Sequence, residues 1–227
     1  MHKIAVLLAA ASLGLSACAG PAIAAEEAVN APAAARTAKE AIGLKTAIFA
    51  GGCFWGVEAV FSHVKGVTGV VSGYHGGTQK AASYDLVSSG ITDHAEAVKV
   101  TYDPAVVRYD QLLRIFFSVV ADPTLKNRQG PDVGAHYRSA LVPVNAEQGA
   151  VAKAYLAQLG KSGLWSKPIA TKIEPYKAFY PAEAYHQDFM LKNPKHGYIL
   201  RWDAPKVAAF KAMYASFYRA GFLKDGG

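Results

Sequence analysis

The sequence predicts an α+β fold: a two-layer plait with a mixed sheet, helices packed on one face and a ferredoxin-like core. Three observations lead there. Residues 95–102 alternate between apolar and polar side chains, the period of a strand with one buried face. Leu112, Ile115, Phe116, Val119 and Val120 recur at helical spacing within 109–120, which suits a core helix. The segments also follow in the order strand, helix, strand, strand, helix, strand, which one sheet and one helical layer accommodate.

In chain order, residues 45–50 read as a strand leading into Gly51-Gly52, and 53–64 as a helix. Residues 67–73 form a second strand, followed by a loop at Tyr74-His75-Gly76-Gly77. The strand 95–102 and the helix 109–120 come next. Residues 122–134 carry Pro, Asn, Gln and Gly and read as loop. A strand is expected over 138–144. Asn145 then caps a helix running to about Leu159, with Gly160 as its stop. Residues 169–174 read as a strand, and 182–192 and 205–220 as helices, the last with Pro205 in its first turn. No internal repeat is evident.

The N-terminus reads as something other than fold. An apolar run over 4–15 follows Lys3; it is too short to span a bilayer as a mature helix but fits a secretory signal. Leu15-Ser16-Ala17-Cys18 resembles the bacterial lipobox, in which Cys18 becomes the lipidated first residue; cleavage after Ile23-Ala24-Ala25 is the rival. We therefore expect a signal peptide over 1–18, an Ala-rich tether over 19–43 with no apolar stripe to dock it, and a folded domain over 44–227. An exported protein follows, periplasmic or anchored to the membrane as a lipoprotein.

The chain of 227 residues is 52% hydrophobic, enough for one well-buried domain. Its formal charge is +7, but the basic residues are scattered, so no nucleic-acid groove is signalled. Membrane association is expected only through the lipid anchor, and a monomer is expected. Of the two cysteines, Cys18 is acylated or removed, which leaves Cys53 and no internal disulfide. One cysteine with scattered histidines lacks metal-ligand spacing, so neither metal nor cofactor is expected.

Gly51-Gly52-Cys53-Phe54-Trp55-Gly56 lies where a strand hands over to a helix. Two glycines permit a tight turn with unusual dihedrals and leave room for a ligand. Cys53 is expected in the first helical turn, where unpaired N–H groups and the helix dipole favour an anion. A lowered thiol pKa and a nucleophilic thiolate follow. Phe54 and Trp55 could form a socket for a small apolar group such as a methyl. The bland alternative is a helix-start cysteine packed by two core aromatics.

Glu96 shares a strand face with Val98, Val100 and Tyr102. A carboxyl at the end of an apolar row is poorly solvated, stays protonated and can donate a proton. A strand end that simply reaches water is an equal alternative on this strand alone. Tyr84 and Tyr137 carry phenols able to donate to an oxygen gaining charge, yet the default for any one of 12 tyrosines is packing. Asp132, between Pro131 and Gly134, is by default a turn residue.

Taken together, these segments resemble one family. Gly52-Cys53-Phe54-Trp55-Gly56 resembles the signature pentapeptide of A-type peptide methionine sulfoxide reductases. His94-Ala95-Glu96, Asn127-Arg128-Gln129-Gly130-Pro131-Asp132-Val133-Gly134 with Tyr137-Arg138-Ser139, and Tyr185-His186-Gln187 are similar to its further segments, in matching order over 45–203. The resemblance implies a catalytic domain over 44–227 that reduces the S epimer of methionine sulfoxide, free or in proteins, with an external thiol or thioredoxin-like reductant. It implies Cys53 as nucleophile, Glu96 as the acid that protonates the sulfoxide oxygen, and a Cys53 sulfenic acid as intermediate. Tyr84, Asp132 and Tyr137 would bind and polarise the sulfoxide, Asp132 through water, and Phe54 and Trp55 would hold the methyl.

Two departures stand out. Many members carry recycling cysteines near the C-terminus, one after a Gly-Tyr pair; here Gly197-Tyr198 precedes Ile199 and no cysteine follows Cys53. Asp93 stands where members often have Gly. Competing readings are a thiol peroxidase or thiol transferase using the same cysteine, a cysteine hydrolase with His186 as base, and a lipoprotein that has lost its activity.

Overall fold

The computed structural model describes residues 27–223; the expected signal peptide and the first part of the tether lie outside the described residues. The elements run β1 (Lys45–Gly51), α1 (Phe54–Ser62), β2 (Val67–His75), α2 (Tyr84–Ser88), β3 (Ala95–Tyr102), α3 (Tyr109–Ile115), β4 (Arg128–Gln129), β5 (Asp132–Val133), β6 (Ser139–Val142), α4 (Ala146–Lys161), β7 (Lys172–Ile173), β8 (Phe179–Pro181), α5 (Phe189–Lys192) and α6 (Ala204–Met213). Six strands form one sheet in the order β7-β6-β1-β3-β2-β8, and β4 pairs with β5 as a separate small hairpin. Only β6 and β7 are parallel; the other neighbours are antiparallel, so the sheet is mixed. The strands β6-β1-β3-β2, crossed over by α1 and α3, make the ferredoxin-like core expected from the segment order.

Alternation along β3 decides which side is the core. Val98, Val100 and Tyr102 join the cluster that packs under the helices, while Ala95 and Ala97 join Ile48, Ala50, Ala140 and Val142 on the other face. Residues 174–178 run from β7 at one edge of the sheet to β8 at the other, and Phe179 packs on that second face. Helix α1 is buried nearly all round, with Val57, Val60 and Phe61 sealed. At roughly 1.5–3 kcal/mol for each large apolar side chain fully buried, these residues hold the helix hard against the sheet. Phe49 of β1 stacks on Phe61 at 4.9 Å, which ties the strand before Cys53 to the helix after it.

Several boundaries differ from expectation, each for a local reason. The helix expected over 109–120 is α3 followed by a π turn, Phe116–Val120, closed by Ala121 N–H on the Phe116 carbonyl. Asn145 caps α4 as expected, its side chain accepting from Gln148 N–H. Gly160, however, lies inside α4; the helix ends at Ser162 and Gly163, the latter with φ +73°. Most of the helix expected over 182–192 is absent. The Gln187 side-chain amide accepts from Ser72 N–H and donates to the Ser72 and Ala182 carbonyls, prolonging the pairing at the edge of β2, and Asp188 turns left-handed at φ +54°. The final helix stops at Met213, and residues 214–223 fold back so that Arg219 and Leu223 N–H bond the His63 and Ser62 carbonyls beyond α1.

The tether expectation does not hold for residues 27–43. They form an extended strap with Ala31 and Ala38 buried. Backbone groups of the strap bond Ser118, Gln158, Asp110 and Glu147, and Glu40 accepts from Tyr102 Oη–H and Tyr109 N–H. An extended chain held by its own backbone needs no apolar stripe, only side chains small enough to fit, and alanine is small enough.

Candidate active site

The C-terminal end of β1 lies beside the N-terminal end of β3, and the turn out of β1 places Cys53 above both. Gly52 makes that turn with φ +87°, and a Cβ there would meet the Gln129 Cβ at 2.6 Å. Cys53 is the N-cap of α1 rather than part of its first turn, with φ −53° and ψ 121°. Gly56 is the third residue of α1. A Cβ on it would lie 2.3 Å from Asp203 Oδ1, so glycine lets a buried carboxyl rest on the first turn.

Glu96 is 2% exposed and accepts the Phe54 N–H at 3.0 Å. Burial pushes its carboxyl up to about 8; the Phe54 N–H opposes this, and the nearby Asp132 and Asp203 carboxylates add to it. Glu96 therefore carries its proton at neutral pH, and the alternative of a solvated strand end is set aside. For Cys53 the structure reverses the expected direction. Burial first, then the charges of Glu96, Asp203 and Asp132, push the thiol well above its ordinary value, against only the Trp55 N–H. The sulfur is a thiol at rest.

The remaining expected residues converge on the same point. Tyr84 at the start of α2 and Tyr137 in the 3₁₀ turn Ala135–Tyr137 both feel the charges of Glu96 and Cys53, and Asp132 in β5 bears on both Cys53 and Glu96. Burial holds both phenols above their ordinary values, so they remain O–H donors across the neutral range. Asp132 is raised by burial and eased by its bond from Tyr198 Oη–H and by Lys206. Phe54 is sealed, its ring 4.9 Å from that of His186. Trp55 is half-buried, stacks flat on Phe189 at 3.6 Å and donates its indole N–H to His186 Nδ1. His186 is thus the hydrogen-bond partner of the indole, and the hydrolase reading loses its base.

Three residues escaped the sequence. Tyr198 drew notice only for the cysteine missing after it, yet its phenol reaches Asp132. Asp203, ahead of Pro205, reads as an ordinary helix cap. Glu183 accepts from Tyr74 Oη–H at 2.8 Å and from Tyr84 N–H at 2.9 Å, which fixes the start of α2. Among the described residues no group of His, Cys, Asp or Glu could hold a metal ion, and no helix is long and apolar enough to cross a membrane.

A lone thiol, a carboxyl keeping its proton and a ring of phenol donors define a thiol-dependent enzyme that transfers oxygen with acid assistance. Residues 45–217 match the family model described as peptide methionine sulfoxide reductase. "Peptide methionine sulfoxide reductase MsrA 2" of Mesorhizobium japonicum is 53% identical over 79% of this chain and 92% of its own length. The protein of the same name from Synechocystis is 52% identical over 78% and 83%. Among solved structures, methionine sulfoxide reductase A of Corynebacterium diphtheriae superposes with a TM-score of 0.57 at 30% identity, covering 77% of this chain and 86% of that one. The reduced form of Mxr1 from Saccharomyces cerevisiae gives 0.56 at 35% identity, over 67% and 87%. The chain belongs to the peptide methionine sulfoxide reductase family. It is an oxidoreductase of the A type, with methionine sulfoxide as substrate and a thiol as reductant.

Proposed function

We propose that the protein reduces the S epimer of methionine sulfoxide, free or in proteins, through a Cys53 sulfenic acid. The observation that carries this reading is the buried Glu96 carboxyl, proton-bearing and bonded to the backbone N–H next to Cys53. A sulfoxide oxygen is a poor leaving group until it is protonated. Glu96 gives its proton to that oxygen as the Cys53 sulfur attacks the substrate sulfur, and the thiol proton restores Glu96. Attack joins the Cys53 sulfur to the substrate sulfur, which then carries the protonated oxygen as a hydroxyl. That hydroxyl passes to the Cys53 sulfur as both its bond to the substrate sulfur and the new S–S bond break, so methionine leaves reduced by two electrons and Cys53 is left oxidised by two as Cys53–SOH. Tyr84 and Tyr137 donate to the oxygen as charge builds on it. Trp55, over its Phe189 partner, covers the methyl, with Phe54 behind it.

Cys53 has no partner thiol downstream, so an external thiol closes the cycle. A first thiol attacks Cys53–SOH, forming a mixed disulfide and releasing water. A second thiol attacks the reductant sulfur of that mixed disulfide, so the two reductant sulfurs leave joined as a disulfide and Cys53 takes the proton and returns to Cys53–SH. A thiol kept protonated at rest favours sulfoxide over peroxide, whose reduction runs through the thiolate. The N-terminal lipobox-like segment supports export and repair of exported proteins; fractionation of cells carrying the full chain, with Cys18→Ser as control, tests that part. Mass spectrometry after one turnover without reductant tests the chemistry. Cys53 carrying one added oxygen is expected, and an unmodified Cys53 beside reduced substrate would exclude the sulfenic acid.

A further inference from the structure

The end of the sheet that carries Cys53 and Glu96 also has a second face. There His75 of β2 pairs with Ala95 of β3, the neighbour of Glu96, and both lie on the side away from the helices. A pocket of about 770 Å³ opens on that side, with Asp93, Lys126, Arg138, Lys172, Glu174 and Lys177 in its lining. Arg138, next in the chain to Tyr137, ties its wall together. The guanidinium bonds Glu174 at 2.7 and 3.1 Å, the Ala135 carbonyl at 3.0 Å and the Asp93 carbonyl at 3.1 Å. His75, 1% exposed, stands 3.7 Å from the same carboxylate. Burial opposes a charge on Glu174, but His75 and Arg138 outweigh it and hold the carboxyl down at about 2. Glu174 and Arg138 therefore neutralise each other. Apart from the buried His75, the other titratable groups in the lining are the exposed Lys126, Lys172 and Lys177, against the single carboxyl of Asp93. Lys177 Nζ donates to the Gly76 carbonyl at 3.3 Å, which leaves its charge uncompensated.

We propose that this pocket is a subsite for protein substrates, and that its lysines take an acidic side chain lying a few residues from the methionine sulfoxide. Ala135 and Arg138 line the pocket, and Tyr137 between them belongs to the active site, so the two places are close. An extended peptide covers about 3.3–3.6 Å per residue, and two to four residues bridge roughly 7–14 Å. Three ammonium groups around one open pocket suit a carboxylate, and the volume holds a side chain together with the backbone that bears it. Exposed charge pairs are individually weak. A carboxylate tethered to the bound sulfoxide meets them at high effective concentration, which lets them count. Free methionine sulfoxide has no flanking residues and bypasses the pocket.

This inference rests on the chain reducing protein-bound sulfoxide, and the experiment separates the two. Short peptides carry one methionine sulfoxide and a Glu, Gln or Lys two, three or four positions before or after it. At low salt, kcat/KM of the wild type for the best-placed glutamate peptide should exceed that for its glutamine twin by roughly three- to tenfold, mostly through KM. The lysine peptide should be poorer still. The gap should close in about 1 M salt, where the Debye length falls to about 3 Å. The variant Lys126→Gln/Lys172→Gln/Lys177→Gln should lose the preference. A charge-matched control, Lys39→Gln/Lys153→Gln/Lys161→Gln, changes exposed lysines of the strap and α4 and should keep it. Equal rates for glutamate and glutamine peptides at every position overturn the subsite. A preference that survives in the pocket variant, or vanishes in the control, overturns it equally, as do inert peptides beside active free methionine sulfoxide. Failure to reduce the free sulfoxide and every peptide would instead overturn the reading of function.

Discussion

Glu96→Gln should make the protein more stable and nearly inactive, and the gain in stability has a calculable pH dependence. Burial holds the folded carboxyl at about 8, against 4.5 for the same group in water. Between those values the folded chain binds a proton that the unfolded chain releases, so stability falls as pH rises through this window. Each pH unit costs about 1.4 kcal/mol, which gives about 3 kcal/mol by pH 7 and about 5 kcal/mol above pH 8, where the loss levels off. Glutamine has the same shape, can accept the Phe54 N–H and does not titrate. Urea titrations of wild type and variant at pH 4, 5.5, 7 and 8, read by tryptophan fluorescence, should show no difference at the first and a widening one thereafter. Reduction of methionine sulfoxide should drop by ~10²–10⁴-fold, the usual contribution of a positioned acid. A stability difference independent of pH, or a variant less stable than wild type at pH 7, would refute the buried, proton-bearing carboxyl.

Other perturbations follow from the same geometry. kcat/KM should be flat through neutral pH and fall above about 8 as Glu96 loses its proton, which a stopped-flow or coupled assay will read. Gly52→Ala forces a Cβ onto Gln129 at a φ of +87° and should cost about 1–3 kcal/mol while displacing Cys53; equal melting temperature and activity would count against that turn. Glu40→Ala removes the acceptor of Tyr102 Oη–H and Tyr109 N–H. It should cost about 1.5–3 kcal/mol and lower Tm by several degrees without altering the thiol titration.

Much of this was legible because it depends on near neighbours in the chain. Alternation marks the face of β3 that carries Glu96, Asn145 marks the start of α4, and two glycines before a cysteine mark the turn into α1. What stayed hidden depends on distant partners. Residues 182–188 have helical composition, but the Gln187 amide finds a strand edge at Ser72, 115 positions away. The alanines of the strap carry no periodic signal, since their role is to be small where backbone bonds to α3 and α4 must form. Tyr198 and Asp203 reach the site only because α6 packs on α1. The helix-start argument for the thiol failed for the same reason. It counted the N–H groups in the next three residues, and could not count the carboxylates that β3 and the turn before α6 bring to them.

The reversed thiol is better suited to this substrate than the thiolate would have been. An ionised sulfur at rest meets any oxidant that arrives, whether or not that oxidant needs a proton. A sulfoxide differs from a peroxide in needing protonation before its oxygen can leave, and in the mechanism proposed above Glu96 supplies that proton only while its own carboxyl is neutral. Carboxylates that hold the thiol up hold Glu96 up as well, so the two protons are retained together. They can be spent together only on an acceptor that takes an oxygen-bound proton and an electron pair in one event. Selectivity then lies in the crowding of acids around one helix end, and the cost is the several kcal/mol of stability that Glu96→Gln should return.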